Sequence, residues 1–304
     1  MKNTFPGGVW PTMITPFTLE NHVDYEALNA MVEWYISKGV SGLFAVCQSS
    51  EMFFLSLEER VEIAKFVVKA TAGRVPVIAS GHISDLLDDQ VEELNAIAKT
   101  GVDAVILVTN RLAHQEESDK TWLQNLQALI SKLPQNMPLG FYECPYPYKR
   151  LLSIEALKWC ASNGRFFFLK DTCCDAVSIR EKLQVIKGSN LKLYNANTTT
   201  LLDSLRNGAV GYSGVMANFH PALYTWLCDH KNDQKADQLL DHLSIFSLIE
   251  RQLYPVNAKY SMSLYGLPMS LQTRSKDHRE FTPTFAEEVA MLKRLSDTLE
   301  KTFY

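Results

Sequence analysis

The chain has 304 residues, of which 46% are hydrophobic and 21% charged, the composition of a globular protein rather than a disordered one. Thirty basic and thirty-four acidic side chains give a net charge of −4. The chain therefore lacks the overall basic charge expected of a protein that covers nucleic acid or an anionic membrane surface. No apolar run follows Lys2, so no secretory signal is expected. The six cysteines include no C-x-x-C pair, which indicates free thiols in a reducing cytoplasm and no metal site.

Short apolar runs alternate along the chain with longer segments of helical periodicity. Each run has the length and composition of a strand that is covered on both faces, as in a parallel sheet. The predicted strands are 8–17, 42–50, 75–82, 104–110, 139–145, 166–172, 191–197 and 211–217.

Apolar residues recur at helical spacing between these runs. Ser56 and Glu59 form a capping box, which predicts the start of a helix. The other predicted helices lie around 28–36, 87–98, 122–129, 153–162, 175–187, 198–207 and 220–230.

Eight strand–helix units of roughly thirty residues each predict a (β/α)8 TIM barrel, for which about 250 residues is typical. A doubly wound sheet is the alternative, but it would use fewer strands, and no G-x-G-x-x-G follows any of them. We expect the catalytic barrel over 1–232. A C-terminal helical extension is expected over 233–304, with a final amphipathic helix from about 284.

Barrel enzymes assemble their sites from the carboxyl ends of the strands and the loops that follow. This rule selects polar side chains at those positions before any family is considered. They are Thr15, Gln48, Ser49, His82, Arg111, His114, Tyr142, Glu143, Lys170, Asp171, Asn195, Asn197, Ser213 and Asn218.

Lys170 is the most informative of these residues because it follows the apolar run 166–169. A lysine amine desolvated at the mouth of a barrel has a pKa below its ordinary ~10.4 and can form a Schiff base with a carbonyl substrate. The alternative is a structural lysine that reaches water or pairs with Asp171.

Three further residues support a site around Lys170. Tyr142 ends the fifth predicted strand, where a phenol beside an imine can transfer protons, although a tyrosine packed at the rim is equally compatible. Gln48 and Ser49 lie on the loop after the second strand, where they offer hydrogen-bond donors to a carboxylate.

Six motifs in chain order resemble the pyruvate-dependent class I aldolases of the dihydrodipicolinate synthase and N-acetylneuraminate lyase family. YECP resembles the Y-N-x-P of that family, and FLKD resembles the strand that bears its Schiff-base lysine. The motifs are TPF at 15–17, GVSGL at 39–43, CQSSE at 47–51, LSLEER at 55–60, YECP at 142–145 and FLKD at 168–171.

The resemblance implies a lyase that needs neither cofactor nor metal. It assigns the imine to Lys170, proton relay to Tyr142 and the carboxylate of the keto acid to Ser49. Gln48, Ser213, Arg111 and Asn195 are the further candidates for substrate binding. The family precedent also implies a homotetramer built as a dimer of dimers, with pyruvate and an aldehyde or sugar acid as substrates.

Several positions depart from the family pattern. Gln48 replaces a loop hydroxyl, and Arg111 and Leu112 stand where the family often has a tyrosine that reaches across a dimer contact. Pro147 occupies the position of the arginine that binds the carboxylate of the aldehyde in the synthase. Thr198 and Thr199 align with the Asp-Glu pair that reads sugar hydroxyls in the lyase.

These departures predict a hydroxylated aldehyde or a 2-keto-3-deoxy sugar acid, or a substrate similar to N-acetylneuraminate, at a mouth lined by Gln48, His82, Arg111, His114, Thr198 and Thr199. One alternative is 4-hydroxy-tetrahydrodipicolinate synthase, with Arg111 or Lys149 replacing the missing arginine. The other is a barrel that binds a ligand without turnover. A phosphate-dependent aldolase is disfavoured because no glycine-rich loop follows the seventh strand.

Overall fold

Eight parallel strands form one sheet in the order β1-β8-β7-β6-β5-β4-β3-β2 in the computed structural model, which describes residues 5–304. The sheet closes into a barrel because Thr12, just beyond β1, pairs in parallel with Phe44 of β2. The predicted (β/α)8 architecture is confirmed. The strands are β1 (Gly8–Val9), β2 (Leu43–Phe44), β3 (Val77–Ala79), β4 (Ala104–Val108), β5 (Leu139–Tyr142), β6 (Phe166–Asp171), β7 (Lys192–Asn195) and β8 (Gly211–Tyr212).

Eight helices alternate with the strands, as the periodicity predicts. Ser56 and Glu59 form the expected capping box at the start of α2: the Glu59 N–H donates to Ser56 Oγ at 3.1 Å, and the Ser56 N–H donates to Glu59 Oε2 at 2.9 Å. The helices are α1 (Tyr25–Ser37), α2 (Leu57–Thr71), α3 (Leu87–Ala98), α4 (Asp119–Ser131), α5 (Ile154–Asn163), α6 (Ala176–Ile186), α7 (Leu201–Arg206) and α8 (Pro221–Asp229).

Three more helices follow the barrel: α9 (Ala236–Phe246), α10 (Val256–Leu264) and α11 (Pro283–Phe303). The last of them packs against α8 and α10. The division of the chain at residue 232 stays a prediction. None of the helices within residues 5–304 is long and apolar enough to cross a membrane.

The strands are shorter than predicted because the chain leaves the sheet early at its carboxyl edge. After β2 it turns into a short 3₁₀ helix, Gln48–Ser50. Ser50 fixes this turn, since its Oγ accepts from the Cys47 N–H at 2.8 Å and donates to the Ala45 carbonyl at 3.0 Å. The apolar run 42–50 therefore supplies both a strand and the loop that carries Gln48 and Ser49.

A bulge between β5 and β6 decides which side chains face the barrel interior. The register shifts so that Leu139 pairs with Phe166 but Gly140 pairs with Phe168. Beyond the bulge, alternation directs Phe168 and Lys170 to one face of β6 and Leu169 and Asp171 to the other.

Aromatic rings fill the interior next to that face. The ring of Phe168 stacks on Tyr194 at 4.0 Å and meets Trp10 edge-on at 5.2 Å. Gly140 is required opposite them, because a Cβ there would lie 2.6 Å from Cδ1 of Ile106 and 2.7 Å from the Phe168 carbonyl oxygen. This packed layer supports Lys170, which lies two residues further along β6.

Candidate active site

Tyr142 and Lys170 are paired residues at the carboxyl ends of β5 and β6. The Lys170 amine lies 4.5 Å from the centre of the Tyr142 ring. Phe44 packs edge-on against the Tyr142 ring, with ring centres 5.8 Å apart. The two residues expected to carry the chemistry are therefore brought together by strand register.

The Lys170 side chain is almost fully buried, with 3% of its surface exposed. Burial lowers its pKa from the ordinary 10.5 to about 8, and the Cys47 and Cys144 thiols and the Glu250 carboxyl oppose this effect only in part. Within residues 5–304 the amine forms no salt bridge. The structural alternative in which Lys170 pairs with Asp171 is excluded, because Asp171 pairs with another lysine.

That lysine is Lys182 of α6, which sequence reasoning missed. Its Nζ lies 2.6 Å from Glu143 Oε1 and 2.5 Å from Asp171 Oδ2, and all three side chains are buried. Burial alone would lower the pKa of Lys182, but the two carboxylates outweigh it and raise the pKa above its ordinary value. Lys182 thus anchors the residues that directly follow Tyr142 and Lys170. No local sequence signal marks it, since it lies on a helix face like many other lysines.

A cavity of about 310 Å³ opens at the carboxyl ends of the strands. Tyr142 lines it, whereas Lys170 is not among the lining residues and contacts the Tyr142 ring. The remaining lining residues come from the loops after β2, β5 and β8 and from the C-terminal extension. They are Gln48, Ser49, Glu51, Phe53, Phe54, Pro145, Tyr146, Val215, Tyr254, Pro255, Ser275 and Lys276.

Gln48 and Ser49 line the cavity as the sequence predicts. The Gln48 Oε1 accepts from the Tyr142 hydroxyl at 3.4 Å and from the Cys144 thiol at 3.2 Å. Ser49 Oγ donates to Thr12 Oγ1 at 3.2 Å. Burial raises the pKa of the Tyr142 phenol well above its ordinary value of 10, so the phenol stays protonated near neutral pH.

The other three predicted substrate-binding residues do not line the cavity. The Asn195 amide donates to Thr200 Oγ1 at 2.9 Å and Ser204 Oγ at 3.1 Å, so it fixes the loop and helix after β7. Arg111 pairs with Asp85 at 2.8 Å. Ser213 follows β8, and its buried Oγ has no hydrogen-bond partner within residues 5–304.

Most residues expected at the mouth also lie elsewhere. His82 is buried, and its Nδ1 accepts from the Val108 N–H at 3.0 Å. Thr198 shares a 2.7 Å hydrogen bond with Tyr224, while His114 and Thr199 are exposed outside the cavity. Of the six, Gln48 alone is among the residues that line the cavity in the described part of the chain.

Tyr254 of the C-terminal extension lines the cavity and was not predicted. Its hydroxyl accepts from Asn218 Nδ2 at 3.0 Å, and Ser49 lines the same cavity. Burial raises its pKa well above 10. The extension was expected to be a helical appendage, and only its packing over the barrel mouth brings a tyrosine next to Ser49.

Glu51 holds a second part of the extension at the cavity. Its Oε2 accepts from the N–H groups of Arg274 and Ser275, both at 2.7 Å, and Lys259 Nζ lies 3.5 Å from its Oε1. These contacts place Ser275 and Lys276 at the mouth.

Comparisons with known proteins identify the family of the chain. The family model described as "Dihydrodipicolinate synthetase family" matches residues 5–282. A 4-hydroxy-tetrahydrodipicolinate synthase from Methanococcus maripaludis is 25% identical over 266 residues, which cover 86% of this chain and 89% of that protein.

Two solved structures share the fold. The chloride-inhibited dihydrodipicolinate synthase from Acinetobacter baumannii, complexed with pyruvate, has a TM-score of 0.86 at 22% identity, over 97% of this chain and 99% of that one. YagE, a prophage protein of the same family from E. coli K12 in complex with pyruvate, has a TM-score of 0.83 at 22% identity, over 97% and 98%. The chain belongs to the dihydrodipicolinate synthetase family and is a lyase of the class I pyruvate-dependent aldolase type.

Proposed function

We propose that the chain joins pyruvate to an aldehyde, or cleaves the product, through an imine on Lys170. The observation that carries this proposal is the buried Lys170 amine, without an ion-pair partner in residues 5–304, beside the Tyr142 phenol. A pKa of about 8 leaves about a tenth of the amine neutral at pH 7, which is enough for a nucleophile at physiological pH.

The reaction follows from these two groups. The neutral amine adds to the C2 carbonyl of pyruvate and loses water, giving a protonated ketimine that withdraws electrons. Loss of a C3 proton then leaves an enamine, and its C3 attacks the aldehyde carbon. Because Lys170 is not among the residues that line the cavity, we infer that its flexible stem moves toward the cavity when the imine forms.

Tyr142 is proposed to move the protons. Its raised pKa keeps the phenol protonated, so it can donate to the developing alkoxide of the aldehyde and recover the proton in the reverse direction. The carbonyl oxygen of Gln48, 3.4 Å from the phenol, orients it.

Ser49 is proposed to bind the carboxylate of the keto acid. Its hydroxyl donates to Thr12 Oγ1, and it lines the cavity together with Tyr142. Ser213 remains a candidate for the same role because its buried Oγ lacks a partner within residues 5–304. Asn195 and Arg111 stay outside this proposal, since their side chains are engaged away from the cavity.

The aldehyde that reacts with the enamine is proposed to differ from the aldehyde used by the synthase. Pro147 offers no donor to a second carboxylate, and neither expected replacement compensates: Lys149 donates to the Thr172 carbonyl at 2.8 Å, and Arg111 pairs with Asp85. Of the six side chains expected to bind a hydroxylated aldehyde or sugar acid, only Gln48 lines the cavity in the described part of the chain.

Trapping with borohydride tests the imine. Incubation with pyruvate and borohydride should add one reduced pyruvyl group to the peptide that contains Lys170, and the Lys170→Met variant should stay unlabelled. An unmodified peptide at saturating pyruvate, or label on another lysine, would overturn the assignment. Labelling without turnover of any aldehyde would favour the binding barrel over the enzyme.

We also propose that the chain is located in the cytoplasm and forms a homotetramer. Six free cysteines, three of them buried, suit a reducing cytoplasm. A homotetramer is proposed from the family resemblance, and sedimentation of the purified chain tests it.

A further inference from the structure

The wall of the cavity is mainly aromatic and apolar. Eight of its thirteen lining residues are aromatic, proline or valine, so most of a bound acceptor would contact carbon rather than hydrogen-bonding groups. These eight are Phe53, Phe54, Tyr142, Pro145, Tyr146, Val215, Tyr254 and Pro255.

Two of these aromatic side chains are far more exposed than folding requires. Phe54 is 48% and Tyr146 49% exposed, whereas large apolar side chains usually lie inside. Phe53 meets Tyr146 edge-on with ring centres 4.8 Å apart, so the loop after β2 and the loop after β5 form one aromatic edge at the mouth. Such an edge presents ring faces to whatever enters the cavity.

Three of the five polar lining residues, Gln48, Ser49 and Glu51, already form hydrogen bonds within the protein. Both Glu51 oxygens are bound by the protein, through the N–H groups of Arg274 and Ser275 and the amine of Lys259. The Gln48 oxygen accepts from Tyr142 and Cys144. A polyhydroxylated acceptor would have to compete with these partners for Gln48, Ser49 and Glu51, and a hydroxyl left unpaired against the apolar wall is unfavourable.

We propose that the acceptor is an aryl aldehyde with a single ring, held by the aromatic edge of Phe53, Phe54 and Tyr146. The inference rests on the proposed function and names its second substrate. The volume of about 310 Å³ lies at the lower end of the range for ligand pockets, about 300–1,000 Å³, which suits pyruvate plus one ring.

The reaction balances without a further reactant. C3 of the enamine forms a bond to the aldehyde carbon as the C=O double bond becomes a single bond, and its oxygen takes a proton from Tyr142. The proton that C3 lost when the enamine formed restores the phenol. The water released when the imine forms is consumed when it is hydrolysed. Pyruvate and benzaldehyde thus give 4-hydroxy-2-oxo-4-phenylbutanoate.

A panel of aldehydes tests the inference on the intact chain. Pyruvate is supplied with benzaldehyde, glyceraldehyde or aspartate semialdehyde, and product formation is followed by liquid chromatography. We expect kcat/KM for benzaldehyde to exceed that for each other aldehyde by about tenfold or more, the discrimination typical of an apolar pocket.

Variants of the exposed edge give a second readout. Tyr146→Ala and Phe54→Ala should each lower kcat/KM for benzaldehyde by about 3–10-fold, the worth of an aromatic contact, and leave pyruvate trapping at Lys170 unchanged. Tyr304→Ala, an exposed tyrosine outside the cavity, is the matched control and should leave both unchanged.

The outcomes separate the two proposals. Trapping at Lys170 together with a preference for glyceraldehyde or the semialdehyde, or with no turnover of benzaldehyde, overturns the aryl acceptor and leaves the imine in place. Failure of trapping overturns the proposed function and the acceptor with it.

Discussion

Replacing Lys170 by methionine should abolish imine formation and make the fold more stable. Methionine has a similar length and fills the same space without a charge, so the substitution removes the amine and keeps the packing. A substitution that abolishes activity and raises stability is expected where a group serves function and not folding.

The magnitude follows from the surroundings of the amine. A pKa lowered from 10.5 to about 8 corresponds to about 3 kcal/mol of unfavourable free energy for the charged form. The contact with the Tyr142 ring stabilises the charged amine by about 0.5–2 kcal/mol, which offsets part of this cost. Lys170→Met should therefore raise the free energy of unfolding by about 1–3 kcal/mol near pH 7.

This difference should shrink as the pH rises. Above the folded pKa of about 8 the native state releases the proton, while the unfolded state holds it until its own pKa of ~10.4. Because the unfolded state then binds more protons, the wild type gains stability with pH in this interval. The variant has no such group, so the two proteins should converge.

Lys182→Met is the matched control. It removes an equally buried amine that pairs with Glu143 and Asp171, and it leaves two carboxylates without their cation. Breaking such a buried cluster typically costs about 3–5 kcal/mol, so this variant should be destabilised.

Urea denaturation of the wild type, Lys170→Met and Lys182→Met at about pH 7 and about pH 9.5 measures whether each substitution raises or lowers the free energy of unfolding. A Lys170→Met protein less stable than wild type at both pH values would refute the reasoning. The amine would then stabilise the fold, as a structural lysine does.

Three further predictions concern the site. Tyr142→Phe should lower kcat by roughly 10²–10⁴-fold and slow the borohydride-trapped imine without removing it; near-wild-type turnover would exclude the phenol as the proton donor. Ser49→Ala should raise KM for pyruvate more than it lowers kcat, because it removes a hydrogen bond to a carboxylate worth about 1.5–3 kcal/mol, and Tyr254→Phe should do the same more weakly. An unchanged KM in both variants would place the carboxylate elsewhere. The rate of imine formation, followed by quenched trapping, should rise with pH up to about 8 and then level off as Lys170 becomes neutral, whereas a flat profile would contradict its lowered pKa.

The sequence by itself determined the barrel and the strand ends that carry the candidate site. The alternation of apolar runs with helical periodicity is set by residues close together in the chain. It could therefore be read from the sequence, and it predicted all eight strands in order. It also placed Tyr142 and Lys170 at the carboxyl ends of β5 and β6. Gln48 and Ser49 were found for the same reason, since they directly follow a strand.

Only the tertiary structure decided which of the other polar residues face the cavity. Asn195 follows a strand as Ser49 does, yet its amide is used by α7, and Arg111 is drawn to Asp85. Lys182 and Tyr254 were missed because each contacts a residue on a different element of the fold. Lys182 of α6 pairs with Glu143 after β5, and Tyr254 of the extension binds Asn218 after β8. Strand periodicity is a local property, whereas the orientation of a loop side chain depends on contacts between segments that meet only when the barrel closes.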